Sequence, residues 1–404
     1  MMSDILFVDD ERKVLDGLRR MLADMSGEWR MSFADGGPAA LEIMAAAPAD
    51  VIVTDMRMPG MDGADLLHEV RKLYPGTIRL VLSGYAEKEY LGRAFPPSHQ
   101  FLSKPCPRDL LVSTIRNALQ SRNLLQSTGL RALVGSINRL PSLPELYRQV
   151  SRELASDSPS LKKLGDIIRR DVAMTARLLK LVNSPFFGAT RKIVDPAQAV
   201  NLVGAEYLQS LVMAFATFDA CEVSIPDYSL RRLLEHSLRT SCAAERIAAL
   251  EGTPEKALDV YRTAGLLHDM GKLILASNLA EEYSEIIGRV QRESRPVHEV
   301  EREVLGATHA EMGAYLLRLW GLPDSVVEAA LLHHAPCTIT PGLDPALAVY
   351  CANILDREMV VLNPGYHRPP LDLAYLRRAG LDQHLDLWRK GVRDVCARIE
   401  VHEA

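Results

Sequence analysis

The chain of 404 residues lacks features that would each indicate a particular class of protein. No uninterrupted apolar run is as long as a membrane span, and the best candidate, residues 208–218, is too short. The first residues lack the basic and apolar regions of a secretory signal peptide. These absences predict a cytoplasmic protein that is not inserted in a membrane.

Excess positive charge and paired cysteines are also missing. The formal net charge is −5, and no block of Lys or Arg stands out. Together with the lack of a helix-turn-helix with a basic recognition helix, this argues against direct DNA binding. The six cysteines are scattered without a C-x-x-C pair, which predicts reduced thiols.

Short apolar runs alternate with amphipathic helical patterns in residues 1–120. The runs lie at residues 5–8, 51–54, 78–82 and 101–102, and they predict strands buried on both faces. This order predicts βα units around a parallel sheet, where ligands collect at the carboxyl ends of the strands. The polar residues that follow or end these runs are Asp9, Asp10, Asp55, Ser83 and Lys104.

These polar residues have the chemistry of a phosphoryl-accepting site. Crowded carboxylates repel one another unless a cation lies among them, and Mg²⁺ takes oxygen ligands such as Asp9, Asp10 and Asp55. A carboxylate beside a metal can accept a phosphoryl group because the cation offsets the incoming charge. Lys104 and Ser83 could then hold the phosphate oxygens by hydrogen bonds.

The same residues resemble the receiver domain of response regulators. The resemblance implies a doubly wound, flavodoxin-like sheet of five parallel strands, phosphorylation by a sensor histidine kinase, and bound Mg²⁺. Whether the aromatic residue at position 101 is a switch or only a core residue stays open. The implied roles are Asp55 as phosphoacceptor, Asp9, Asp10 and Asp55 as Mg²⁺ ligands, and Ser83, Lys104 and Phe101 as switch residues.

The sequence beyond the predicted sheet is helical. Residues 121–137 predict a helical linker, which the prolines of "NRLPSLPEL" end. Residues 138–404 predict an all-α domain with a C-terminal helical extension. Within it, histidines and one adjacent His-Asp pair provide ligands for a divalent transition metal, and Asp269 could bridge two ions and activate a water. The candidate ligands are His236, His268, Asp269, His309, His333 and His334.

The segments "DVAMTARLLKLVNSPFFG" and "GLLHDMGKL" resemble the HDOD domain, the HD-related output domain, over residues 135–335. The resemblance implies a signalling output module without established catalysis, whereas the related HD-GYP proteins hydrolyse cyclic di-GMP. The chain departs from HD-GYP proteins because no Gly-Tyr-Pro follows His334 and because Asn353 stands where they have a closing aspartate ligand. An amide is the weaker ligand.

Three interpretations of the histidines stay open: buried polar pairs, a bound metal without turnover, and a phosphohydrolase. The sequence favours a response regulator whose HDOD output acts on an unknown downstream protein without phosphodiesterase activity. The alternative is a metal-dependent phosphohydrolase that acts on a cyclic dinucleotide. An apolar stripe that continues past residue 119 also predicts a homodimer. The histidines expected at the surface are His298, His367 and His384.

Overall fold

The computed structural model of the chain divides into two compact units. The first consists of Met1–Ser142, Leu305–Ala307 and Tyr315–Leu322, and the second of Leu143–Val304, Thr308–Ala314 and Pro323–Ala404. The structure describes residues 2–83, 100–124, 129–130, 133–134, 144–156, 158–183, 193–219, 221, 223, 225–226, 228–336, 342–360 and 369–399.

The first unit contains a parallel sheet of five strands in the order β2-β1-β3-β4-β5. This is the doubly wound order that the sequence predicted, and it brings β1 and β3 together at the centre. Its elements are β1 (Ser3–Val8), α1 (Arg12–Met21), β2 (Trp29–Ala34), α2 (Gly37–Ala46), β3 (Val51–Asp55), α3 (Gly63–Leu73), β4 (Ile78–Ser83), β5 (Gln100–Ser103) and α4 (Arg108–Leu124).

The burial of each strand explains whether it could be predicted from the sequence. Every residue of β3 is buried, so it reads as a continuous apolar run that ends in Asp55. Strand β2 pairs only with β1 at the sheet edge, and its residues range from buried to exposed. Its sequence therefore contains no apolar run from which the strand could be predicted. Helix α4 buries Leu111, Ile115 and Ala118. Leu125 and most of the predicted linker lie outside the described residues.

The described part of the second unit contains helices and no strand, which confirms the predicted all-α fold. Two of these helices, α14 and α15, end in residues that are assigned to the first unit, namely residue 305 and residues 315–319. Several helices begin at a side-chain N-cap, such as Asp195 for α8 and Ser229 for α10. The helices are α5 (Glu145–Leu154), α6 (Leu161–Arg169), α7 (Val172–Val182), α8 (Pro196–Val203), α9 (Ala205–Asp219), α10 (Leu230–Leu250), α11 (Glu255–Leu267), α12 (Met270–Asn278), α13 (Ala280–Glu293), α14 (Val297–Leu305), α15 (His309–Leu319), α16 (Asp324–Leu332), α17 (Pro345–Met359), α18 (Leu373–Ala379) and α19 (Leu385–Ile399).

Helix α10 is central to this unit, because it packs against α11, α17 and α19. Its buried face includes three polar residues with no exposed surface, His236, Thr240 and Ser241. Among the described helices, none is by itself long and apolar enough to cross a membrane. Helices α8 and α9, with a bend of 109° between them, reach the required length and apolar composition only when they are taken together.

Candidate functional site

The carboxyl edge of the receiver sheet brings two buried carboxylates around one ammonium group. Asp9 and Asp55 are 3% and 7% exposed. Lys104 Nζ donates to Asp9 Oδ2 at 2.7 Å and also to Asp55 Oδ1. Burial works against the charge of Lys104, but these two hydrogen bonds outweigh it and raise the pKa of the ammonium. The lysine thus partly neutralises a pair of carboxylates that would otherwise repel each other.

Backbone amides fix the orientation of both carboxylates. Asp9 Oδ1 accepts from the backbone N–H of Glu11 at 2.9 Å, and Asp55 Oδ2 accepts from that of Arg57 at 2.9 Å. Gly63 is required where α3 begins, because a Cβ there would lie 2.0 Å from the carbonyl oxygen of Asp55. The loop after β3 can therefore close tightly over the strand end.

The other predicted receiver residues lie at the same edge. Asp10 follows Asp9 and is exposed, which leaves its carboxylate accessible from solvent. Ser83 is the last residue of β4, and Phe101 lies in β5, opposite Val81 in the β4–β5 register. The three aspartates supply oxygen ligands of the kind that Mg²⁺ takes, so this edge fits that ion.

The second unit gathers all the predicted metal-ligating residues into one buried cluster. Helices α10, α15 and α17 contribute His236, His309 and Asn353, while the others follow the ends of α11 and α16. Gly271 allows α12 to approach α15, because a Cβ there would lie 1.8 Å from the carbonyl oxygen of His309. The cluster consists of His236, His268, Asp269, His309, His333, His334 and Asn353.

Helix termination orients two of the imidazoles. His268 is the C-cap of α11, and its Nδ1 donates to the carbonyl oxygen of Gly265 at 2.7 Å. His333 is the C-cap of α16, and its Nδ1 donates to the carbonyl oxygen of Ala330 at 2.7 Å. Each ring satisfies a carbonyl that the helix end leaves without a partner. In the neutral rings, Nε2 therefore carries a lone pair that points into the cluster.

Carboxylates orient two further imidazoles. His236 Nδ1 lies 2.6 Å from Asp356 Oδ2, and Arg239 Nε donates to Asp356 Oδ1 at 2.6 Å. His309 Nδ1 lies 2.5 Å from Oε2 of Glu301, which is itself fully buried. In metal sites, ligating histidines donate from the second ring nitrogen to a carboxylate or a backbone carbonyl in this way. All four rings thus have the outer hydrogen bonds of metal ligands.

Burial favours the neutral form of most of these rings. It lowers the pKa of His236 to about 4, against the opposing effect of Asp356. It also holds the pKa values of His333 and His334 well below the usual range of histidine. His309 differs: burial lowers its pKa, but the charge of Glu301 and the hydrogen-bonding interactions with Asp269 and Glu301 together outweigh burial and raise the pKa.

The carboxylate of Asp269 lies at the centre of the cluster. Oδ1 lies 3.4 Å from Nε2 of both His309 and His333, whereas Oδ2 lies 3.4 Å from His268 Nε2. Lys272 Nζ donates to Oδ2 at 2.6 Å. Asp269 Oδ1 and His268 Nε2 are buried and make no hydrogen bond. Unpartnered acceptors of this kind, on nitrogen and oxygen ligands, fit a divalent transition metal.

Most of the cluster is buried, and His334 is the member that is partly exposed. His236, His268, His309 and His333 are 0% exposed, and Asp269 is 1% exposed. A catalytic zinc site keeps one coordination position open for water or substrate, whereas a structural site is enclosed by protein ligands. The five buried residues are enclosed as in a structural site, whereas His334 lies at an edge that is partly exposed to solvent.

Two peripheral histidines depart from the expectation of surface positions. His298 is half-buried and stacks on His334 with ring centroids 4.1 Å apart, and burial lowers its pKa to about 4. His384 is partly buried, and its Nδ1 lies 2.8 Å from Glu251 Oε1. The surface expectation was therefore wrong for His298, because α14 packs beside the cluster. His367 lies outside the described residues.

Sequence reasoning missed the residues that surround the ligands. For four of them the signal was available as helical spacing, since Arg239, Lys272 and Asp356 lie three residues, and Arg357 four residues, after a candidate ligand. Glu301 had no such signal at the level of the sequence. The missed residues are Arg239, Lys272, Glu301, Asp356 and Arg357.

Two domain families match the chain. The response regulator receiver domain matches residues 5–116, and the HDOD domain matches residues 140–336. Among curated proteins, an uncharacterized protein of Treponema pallidum (strain Nichols) is 29% identical over 225 residues, which are 55% of this chain and 43% of that protein. The hydrogenase transcriptional regulatory protein HoxA of Cupriavidus necator is 33% identical over 161 residues, 38% of this chain and 31% of HoxA.

The chain thus spans less than half the length of these two relatives. Among solved structures, an HDOD domain protein of unknown function from Geobacter sulfurreducens has a TM-score of 0.51 and 23% identity. The match covers 67% of this chain and 98% of that protein, and at this identity it supports the fold alone. The chain therefore joins an N-terminal response regulator receiver domain to an HDOD domain.

Proposed function

We propose that this chain is a cytoplasmic response regulator in which phosphorylation of Asp55 controls an output of the HDOD domain through protein interaction. The observation that carries the proposal is the group formed by Asp9, Asp55 and Lys104. It presents a buried carboxylate at a sheet edge with a second carboxylate and an ammonium in contact. A sensor histidine kinase is the proposed phosphodonor, since receiver domains generally take phosphoryl groups from such kinases.

In the proposed reaction, a carboxylate oxygen of Asp55 forms a bond to phosphorus while the bond from phosphorus to the donor breaks. Asp9, Asp10 and Asp55 would hold Mg²⁺, which when bound offsets the negative charge of the transferred group. Lys104 lies within hydrogen-bond distance of Asp55 and can donate a hydrogen bond to an oxygen of the phosphoryl group on Asp55. Ser83, at the end of the neighbouring strand, is the proposed second contact.

A phosphodonor assay tests this proposal. The chain is treated with acetyl phosphate and Mg²⁺, and the acyl phosphate is mapped by mass spectrometry. Labelling is expected on Asp55 and is expected to disappear in Asp55→Asn. Asp62→Asn is the matched control, because Asp62 lies in the same loop and Asn is an equally good helix N-cap. The proposal is contradicted if the Asp55→Asn variant is still labelled, or if labelling of the wild type persists after Mg²⁺ has been chelated.

We further propose that the HDOD domain is not a phosphodiesterase. Three observations support this proposal. His236, His268, Asp269, His309 and His333 are buried, and Asn353 provides an amide instead of a carboxylate. Lys272 donates to the Asp269 oxygen that a carboxylate bridging two ions would need. Incubation with cyclic di-GMP and Mn²⁺ is expected to yield no product. Turnover that Asp269→Ala abolishes would favour the alternative hydrolase instead.

We also propose that the chain forms a homodimer through the end of α4 and the apolar residues that follow it. The support comes from the sequence, where Leu119, Leu124 and Leu125 extend the apolar stripe beyond the part that covers the sheet. Light scattering of the phosphorylated chain should report twice the mass of a single chain. The variant Leu124→Ser with Leu125→Ser should report the mass of one chain, and equal masses for both contradict the proposal.

A further inference from the structure

The Asp269 carboxylate divides the histidine cluster into two halves that differ in the charged side chains near each carboxylate oxygen. The Oδ1 half contains Asp269 Oδ1 with His309, His333 and His334. The Oδ2 half contains Asp269 Oδ2 with His236, His268 and Lys272. His236 Nε2 and His268 Nε2 lie 3.7 and 3.4 Å from Oδ2.

The Oδ2 half already contains its own cation. Lys272 Nζ lies 2.6 Å from Oδ2, and the lysine is only 6% exposed. Arg357 adds a second positive group 3.9 Å from the same oxygen. Asn353 Oδ1 lies 3.0 Å from His236 Nε2 and can accept from an N–H on that nitrogen. With the amide turned over, its NH2 group donates to the Nε2 lone pair instead, so Asn353 engages Nε2 in either protonation state of the ring.

The Oδ1 half consists of ring nitrogens and one carboxylate oxygen, and it contains no Lys or Arg side chain of its own. Nε2 of His309 lies 2.8 Å from Nε2 of His334 and 3.3 Å from Nε2 of His333. Oδ1 lies 3.4 Å from two of these nitrogens and makes no hydrogen bond. The Nδ1 atoms of His309 and His333 are engaged by Glu301 and by a helix-end carbonyl. Three ring nitrogens and one carboxylate oxygen are a ligand set that suits Zn²⁺, Co²⁺ and similar ions.

We infer that the cluster holds a single divalent transition metal ion in the Oδ1 half, and that the Lys272 ammonium takes the place of a second ion in the Oδ2 half. Asp269 is then a one-oxygen ligand and does not bridge two ions. This goes beyond the general resemblance to HD proteins, because it assigns a stoichiometry and a role to Lys272. It concerns the cluster alone and holds whether or not Asp55 is phosphorylated.

Metal stoichiometry tests the inference without any activity assay. The full-length chain is stripped with a chelator and titrated with Co²⁺, which is followed by visible absorption, and bound metal is counted by plasma mass spectrometry. One ion per chain is expected for the wild type, and two for Lys272→Met with Asn353→Asp, which frees Oδ2 and adds a carboxylate. Lys256→Met, at an exposed lysine of the same domain, should stay at one.

A second variant keeps the inference testable if the doubly substituted chain does not fold. His334→Gln removes a partly buried ligand at the edge of the cluster and is expected to weaken Co²⁺ binding at least tenfold. Circular dichroism should confirm that this variant remains helical. A wild type that binds no ion or two ions overturns the inference, and so does unchanged Co²⁺ affinity in His334→Gln.

Discussion

His236 Nδ1 lies 2.6 Å from Asp356 Oδ2, and both residues are completely buried. Asp356 also accepts from Arg239 at 2.6 Å, so one carboxylate of α17 joins two side chains of α10. Burial alone would raise the pKa of Asp356. The hydrogen bond to His236 and the charges of His236 and Arg239 outweigh this effect and lower the pKa to about 2. Helix α17 follows the residues matched by the HDOD family, which end at 336, yet it belongs to the same compact unit as α10.

The variant Asp356→Asn should be strongly destabilised. It leaves the buried guanidinium of Arg239 without its negative partner, and breaking a buried ion pair in this way costs about 3–5 kcal/mol. Urea unfolding measures the loss. Asp386→Asn, at a side chain that is 98% exposed, is the control and should change stability by less than about 0.5 kcal/mol. Similar unfolding curves for the two variants would show that the pair contributes little.

Acidification should destabilise the metal-stripped HDOD domain between pH 6.5 and about 4. Burial lowers the pKa of His236 and of His298 to about 4, from 6.5. The unfolded chain therefore binds more protons than the folded chain in this window, and stability falls as the pH falls. Each such histidine contributes up to about 1.4 kcal/mol per pH unit.

His333 and His334 act in the same direction, while His309, with a raised pKa, acts in the opposite one. The net prediction is a loss of unfolding free energy with a slope above about 1.4 kcal/mol per pH unit. Urea unfolding in the presence of a chelator at several pH values between 6.5 and 4.5 measures this slope. A stability that is constant or that increases on acidification contradicts the assignment of neutral buried rings.

The variant Lys104→Met should make the receiver domain depend on Mg²⁺ for stability. Without the ammonium, the buried carboxylates of Asp9 and Asp55 repel each other, so the metal-free protein is destabilised. The same repulsion increases the affinity for Mg²⁺, which binds the folded state and stabilises it by mass action. Thermal unfolding with and without Mg²⁺ should differ more for Lys104→Met than for the exposed-site control Lys72→Met.

The receiver site could be predicted from the sequence because its chemistry is tied to strand ends. Asp9, Asp55, Ser83 and Lys104 each follow or end an apolar run, and the carboxyl ends of parallel strands necessarily meet at one edge. Strand β2 could not be located in this way, because an edge strand with mixed burial does not form an apolar run.

The residues that meet in the second cluster could also be predicted, but their environment could not. His268 and Asp269 belong to a recognisable segment, whereas Glu301 reaches His309 only through the packing of α14 beside α15. The role of Lys272 depends on which oxygen of Asp269 it contacts, and that is a matter of tertiary geometry. For this reason the sequence left three interpretations open, and the positions of the Nε2 atoms support the single-ion centre that we infer.

The most direct measurement for the central claim is hydrogen exchange of the full-length chain, followed by mass spectrometry with and without acetyl phosphate and Mg²⁺. If phosphorylation of Asp55 controls the HDOD domain, exchange should change in peptides of residues 140–336 as well as at the carboxyl edge of the receiver sheet. The variant Asp55→Asn should show neither change. Exchange in residues 140–336 that is identical with and without a phosphoryl group on Asp55 contradicts the account.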